Sequence, residues 1–168
     1  LTKFTQICIF ATSYVLYKTY VIEKNFNIEK INVMMGHSLG EYTALACSNK
    51  ISLKDCSLIL KQRGELMHTA VTPNETGMAA LIGKDSDHVK KIIDENQLKL
   101  EIANDNSQIQ IVISGKIDDI RKSKEIFLKN NIKKFILLNV SAGFHSKYMI
   151  EAQNQLSDQI ETLKFTEN

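Results

Sequence analysis

The run Ile31-Asn32-Val33-Met34-Met35 stops at Gly36-His37-Ser38-Leu39-Gly40, and Glu41-Tyr42-Thr43-Ala44-Leu45-Ala46-Cys47 follows at once. A short apolar run bounded by glycine predicts a buried strand, and the segment after Gly40 has the composition of a helix. Strand, sharp turn and helix in that order belong to a parallel sheet covered on both faces. The spacing G-x-S-x-G fits such a turn: glycines allow the chain to reverse and lift the serine hydroxyl clear of the sheet. The helix that follows directs its free N–H groups and positive dipole end at Ser38, and the Leu39 N–H is placed to donate to an oxyanion. The plainer alternative is a tight strand–helix turn in which Ser38 caps the helix.

Around this turn the pattern divides into three stretches. In residues 1–74, Ile7, Phe10, Ala11, Tyr14, Val15, Tyr17 and Val21 recur at helical spacing over 1–23, and residues 25–29 form a polar break. Ser52 with Asp55 three residues on reads as a capping box. It opens a helix carrying Cys56, Ile59, Leu60, Leu66, Met67 and Ala70, with the single proline, Pro73, beyond its end. Residues 75–140 predict a strand over 78–82 and a helix over 85–96 with Val89, Ile92 and Ile93 inward. Strands over 100–103 and 109–114 follow, joined by the polar turn Asn104-Asp105-Asn106. A helix over 116–130 with Ile117, Ile120, Phe127 and Leu128 inward leads to a last strand over 134–140. That β-α-β-β-α-β order is the ferredoxin-like arrangement, here an inserted lobe. Residues 141–168 return to the core with a loop and a helix over 146–164 carrying Met149, Ala152, Leu156, Ile160 and Leu163. The expected fold is therefore α/β: part of an α/β-hydrolase-like parallel-sheet core, with only 31–35 as a clear parallel strand, interrupted by a ferredoxin-like subdomain.

Composition narrows the chemistry. A formal charge of +2 with scattered lysines, Lys90-Lys91 and Lys133-Lys134 being pairs rather than a patch, gives no nucleic-acid footprint. Cys8, Cys47 and Cys56 lie in apolar stretches without metal-ligand spacing and are expected as small core residues in a reducing compartment. No apolar run approaches the about 18 residues of a membrane span, and the first residues lack the order of a signal peptide. A cytoplasmic protein that binds neither membrane nor metal is expected. The start at Leu1, already in a helical pattern, suggests a fragment.

A serine nucleophile needs a base. Of four histidines, His68 and His88 fall on helices among polar neighbours and are expected in solvent. His37 precedes the serine and could line its pocket. His145, in the loop Ser141-Ala142-Gly143-Phe144-His145 after a strand, has the placement α/β folds give to catalytic groups. Arg63 falls on the apolar stripe 56, 59, 63, 67, 70 of its helix. A guanidinium there needs an anion, either an internal carboxylate or one on a ligand.

Taken in order, Gly36-His37-Ser38-Leu39-Gly40-Glu41-Tyr42, Gln62-Arg63-Gly64-Glu65-Leu66-Met67, Gly77-Met78-Ala79-Ala80, Asn106-Ser107 with Ile111-Val112-Ile113-Ser114-Gly115, and Val140-Ser141-Ala142-Gly143-Phe144-His145-Ser146 resemble the malonyl-CoA:acyl-carrier-protein transacylases. The acyltransferase domains of polyketide synthases share these motifs. The resemblance implies that Ser38 takes a malonyl group from malonyl-CoA and passes it to the phosphopantetheine thiol of an acyl carrier protein. His145 would be base and then acid, Arg63 the anchor of the malonyl carboxylate, and Leu39 one oxyanion donor. His37, Met67 and Phe144 would line the acyl site, with Asn106 near the serine. Phe144 before the histidine and Leu39 after the serine favour malonyl over methylmalonyl. No bound cofactor is implied, and a full-length member is expected to be a monomer.

The resemblance also implies an amino-terminal Gly-Gln-Gly-Ser-Gln loop, which gives the second oxyanion donor, and a carboxyl-terminal segment that orients the histidine. Neither motif occurs in the 168 residues, so a central piece of a longer enzyme is expected. Gly143 stands where Pro or Ala is commoner. Two alternatives stay open: an inactive relative that keeps only carrier-protein binding, and an α/β-hydrolase. The latter would need an acid between serine and histidine, where Asp105, Asp118 and Asp119 fall inside the inserted lobe.

Overall fold

The computed structural model describes residues 2–166. The chain forms two compact units, one made of the residues up to Met67 with those from Ala152 on, the other spanning His68–Glu151.

In the first unit, α1 (Thr2–Glu23), α2 (Leu39–Cys47) and α3 (Leu53–Thr69) supply most of the structure. Ser52 accepts from the Asp55 N–H at 3.0 Å and its hydroxyl bonds the Asp55 carboxylate at 2.7 Å, so α3 begins where the capping pair predicts. Phe10, Ala46, Ile51, Cys56, Ile59, Leu60 and Leu156 make the core, with Leu156 on α6 (Ile150–Ile160). Burial pushes the Cys56 thiol up to about 12, the neighbouring Cys47 adding to it, so this cysteine behaves as an apolar core residue. Cys8 is exposed, against expectation. So are Ala11 and Val15: α1 is apolar around much of its circumference and buries only the side carrying Gln6 and Phe10.

The strand expected over 31–35 is not formed among the described residues. A short 3-10 turn (Ile28–Lys30), capped by Asn27, precedes it. The segment beyond pairs with no strand, leaving Val33 69% and Met35 85% exposed. A strand is defined by its ladder partners, which an apolar run cannot provide for itself.

The second unit follows the predicted order, with β1 (Thr76–Ile82), α4 (Ser86–Glu95), β2 (Leu100–Ser107), β3 (Gln110–Lys116), α5 (Ile117–Lys129) and β4 (Lys134–Leu137). The sheet order is β2-β3-β1-β4 with every neighbouring pair antiparallel. One sheet face packs Ala79, Leu81, Ile111 and Ile113 against Val89, Ile92, Ile120 and Phe127 of the two helices. The other packs Met78, Ala80 and Val112 beneath Leu138, Val140 and Phe144, so the chain leaving β4 is laid across the sheet as it runs to His145.

Details depart from the sequence expectations. Asn104, Asp105 and Asn106 lie in β2, whose irregular pairing with β3 absorbs extra residues, and the turn falls at Gln108 and Ile109. Leu128 is exposed because Ile120, Ser123 and Phe127 already complete the buried stripe. The strand expected to reach residue 140 ends at Leu137, and the last helix starts at Ile150 after a 3-10 turn (Lys147–Met149). His88 is held by the Asn130 carbonyl at 2.9 Å and His68 is half-buried, so neither is a solvated histidine. No helix among the described residues is long and apolar enough to cross a membrane.

Candidate active site

Ser38 sits at φ 53°, ψ −108°, a conformation that a non-glycine residue adopts only when its surroundings impose it. The imposing contact is Gly36: a Cβ there would lie 2.0 Å from the Gly40 carbonyl carbon and 2.6 Å from the Glu41 nitrogen. The absence of a side chain at 36 lets the turn close. Gly40, by contrast, has no atom within 4 Å of a Cβ position, so this structure does not require glycine there. Ser38 stands at the N-cap position of α2 but makes no side-chain cap hydrogen bond to it. The Gly40 and Glu41 N–H groups bond the His37 and Ser38 carbonyls at 2.9 and 3.1 Å. Leu39, the first residue of α2, has no acceptor within the helix for its own N–H.

Arg63 meets this turn from α3. Its Nη2 donates to Ser38 Oγ at 2.9 Å and its Nη1 to Gln6 Oε1 at 2.5 Å, while the guanidinium lies over the Tyr42 ring, 5.5 Å from its centroid. Burial lowers the Arg63 pKa, with Tyr42 and Glu41 opposing the shift. None of the ion pairs among the described residues involves Arg63. Its fixed partners are thus neutral acceptors and a π-face, not the internal carboxylate that was the alternative. Met67, one turn further along α3, accepts a hydrogen bond from Gln6 Nε2 at 3.3 Å. His37 is exposed and, with Ser38 and Leu39, lines a cleft of about 770 Å³ that Tyr17 and Thr43 also border.

Phe144, His145 and Asn106 belong to the second unit. The histidine loop is pinned at several points: the Gly143 N–H donates to the buried Thr76 hydroxyl at 2.8 Å, Ser146 Oγ donates to the Gly143 carbonyl at 2.6 Å, and the Lys147 N–H donates to Glu101 at 3.0 Å. His145 is exposed at φ 54°. Phe144 packs its ring on the sheet face, and Asn106 is exposed on β2. A Cβ on Gly143 would fall 2.7 Å from Ser114 Oγ and 3.1 Å from Thr76 Cβ, and a proline there would lack the N–H that Thr76 accepts. The unusual glycine is therefore matched by its neighbours. Gly143→Ala is expected to lower stability by about 1–3 kcal/mol through overpacking. Adding Ser114→Ala, which removes the nearest crowded atom, should recover part of that loss, as measured by denaturant unfolding of the single and double variants.

Sequence reasoning missed Gln6 and Thr76. The signal for Gln6 was available: a polar residue four before Phe10, on the buried stripe of α1, invites the question already asked of Arg63. Thr76 gave none, because its partner is a backbone N–H 67 residues away.

A strained serine in a tight turn that opens a helix, its hydroxyl accepting from a half-buried arginine, stands on a mixed α/β scaffold. The chain belongs to the acyl transferase domain family, whose model matches residues 3–167. It is 39% identical over 126 residues to the malonyl CoA-acyl carrier protein transacylase of Bacillus subtilis, covering 73% of this chain and 40% of that protein. The crystal structure of acyl-carrier-protein-S-malonyltransferase from Bartonella henselae superposes with a TM-score of 0.89 at 37% identity, over 99% of this chain and 54% of that one. A type II PKS acyl-carrier protein in complex with its malonyl-transacylase gives 0.89 at 29% identity, over 98% and 53%. The chain spans about half the length of these solved structures.

Proposed function

We propose that the protein carrying this chain transfers a malonyl group from malonyl-CoA to the phosphopantetheine thiol of an acyl carrier protein, in fatty-acid or polyketide synthesis. The observation that carries this reading is the Ser38 hydroxyl held 2.9 Å from a half-buried guanidinium that no ion pair among the described residues neutralises. The names of the relatives, and the solved complex of one of them with its carrier protein, support the substrate and the partner.

In the first half-reaction His145 takes the Ser38 proton as Oγ attacks the malonyl thioester carbonyl. The C–O bond forms, the C–S bond breaks, and the proton passes to the departing coenzyme A sulfur. In the second half the carrier's thiol gives its proton to His145, attacks the Ser38 ester and leaves with the malonyl group, and Ser38 Oγ regains a proton. The Leu39 N–H stabilises the oxyanion in both halves. On this reading Arg63 receives the malonyl carboxylate in a two-pronged bond, and His37, Met67, Phe144 and Asn106 serve the acyl site, as the family resemblance implies. The ferredoxin-like lobe contributes to the carrier cleft, and the enzyme acts as a cytoplasmic monomer without a resident cofactor.

The full encoded protein incubated with malonyl-CoA should gain one malonyl group, seen by intact-mass spectrometry, mapped to Ser38 and discharged on addition of phosphopantetheinylated carrier. No adduct, or one that survives Ser38→Ala, contradicts the proposal. Discharge to free malonate without carrier would indicate a hydrolase instead.

A further inference from the structure

Gln6 is a polar side chain with only 7% of its surface exposed, on the buried face of α1, and both ends of its amide are used. The carbonyl oxygen accepts from Arg63 Nη1. The amide nitrogen donates to Met67 Sδ, which can only accept. Because a guanidinium carries donors alone, these two neighbours determine which way the amide faces. Tyr42 lies over the guanidinium at 5.5 Å, and Ser38 takes one further N–H. Arg63 is therefore fixed in position by groups that carry no negative charge.

Neutrality has a consequence. A carboxylate at position 6 would hold the guanidinium equally well but would also neutralise it, and a substrate carboxylate would then compete with an internal one for the same donors. An apolar residue would leave the charge free but the guanidinium loose. An amide fixes its place and keeps its charge. Gln6 and Ser38 each engage one of the five guanidinium N–H donors and the Tyr42 side chain competes for a third, which still leaves donors for an incoming acyl carboxylate.

We infer that Gln6 is a positioning residue that sets the preference for acyl groups bearing a free carboxylate, by holding Arg63 in place without neutralising it. The inference rests on the proposed malonyl transfer and adds a determinant on a different helix from the serine and the arginine.

The test is acyl loading of the full encoded protein and its Gln6→Glu and Gln6→Met variants, with malonyl-CoA and acetyl-CoA as separate donors. Gln6→Glu should raise the malonyl KM on the order of 100-fold, the scale of losing a buried carboxylate–guanidinium pair. Acetyl loading should stay within about threefold, since acetyl makes no such pair. Gln6→Met, which keeps length and volume, should raise the malonyl KM about tenfold with little change in kcat, the scale of one lost charge-assisted hydrogen bond. Equal losses for both donors would mean that Gln6 only supports the fold, and no change for either would mean that Arg63 needs no help. Either result overturns the inference while leaving malonyl transfer standing. A wild-type protein that takes no malonyl group from malonyl-CoA overturns both.

Discussion

Gly36→Ala is expected to abolish malonyl loading of Ser38, with a fall of at least about 1000-fold in the intact-mass assay. The new methyl would be built 2.0 Å from the Gly40 carbonyl carbon, 2.1 Å from its oxygen and 2.6 Å from the Glu41 nitrogen. All three atoms are backbone, so no rotamer change relieves the clash, and the turn must open. Opening it releases Ser38 from φ 53°, ψ −108°, a conformation costing about 1–3 kcal/mol that persists only while its surroundings enforce it. The hydroxyl then moves relative to Arg63, and the first N–H groups of α2 lose their aim. A displacement of about 1 Å at a reacting atom is enough to cost on the order of 100-fold in rate, and the lost Leu39 donor a further 100- to 1000-fold. Overall stability should fall much less, because the core of this unit rests on Phe10, Ile59 and Leu60 rather than on the turn. Wild-type loading by a folded Gly36→Ala protein would show that the turn is not what presents the serine.

What sequence could reveal here follows from where each element finds its partners. The ferredoxin-like order was legible because β1, α4, β2, β3, α5 and β4 satisfy one another: the apolar faces read at periods of 2 and 3.6 meet within the one stretch from Thr76 to Leu137. The glycine–serine turn was legible because its constraint is local, set between Gly36 and Glu41. The run at 31–35 was read correctly as apolar and incorrectly as a formed strand, since pairing depends on strands the run does not contain. Asn104, Asp105 and Asn106 are good turn formers held in β2 by the ladder from β3, a tertiary override of local preference. Arg63 was legible as a charge on an apolar stripe, but its neutral partners were not, because Gln6 lies 57 positions away and Ser38 25. The same distance hid the Thr76 bond that holds the histidine loop.

On the proposed malonyl transfer, Arg63→Ala is expected to reverse the donor preference rather than only to slow loading. Breaking a buried guanidinium–carboxylate pair costs about 3–5 kcal/mol, which at about 1.36 kcal/mol per tenfold lowers malonyl loading by at least 100- to 1000-fold. Acetyl makes no such pair. In the wild-type site its methyl group would face a half-buried guanidinium, whose pKa burial lowers. Removing that charge therefore leaves acetyl loading unchanged or improves it. Arg63→Lys should fall between, keeping the charge but losing the planar fork that matches two carboxylate oxygens, the stacking over Tyr42 and one of the two fixed bonds to Gln6 and Ser38. The competing role is specific: Arg63 Nη2 also donates to the Ser38 hydroxyl, so the arginine could act by orienting the nucleophile. The two roles separate in one measurement. An arginine that orients Ser38 serves every acyl donor alike, and equal losses with malonyl-CoA and acetyl-CoA would assign it to the serine. A loss confined to malonyl assigns it to the carboxylate, because that group is the only part of the substrate that acetyl lacks.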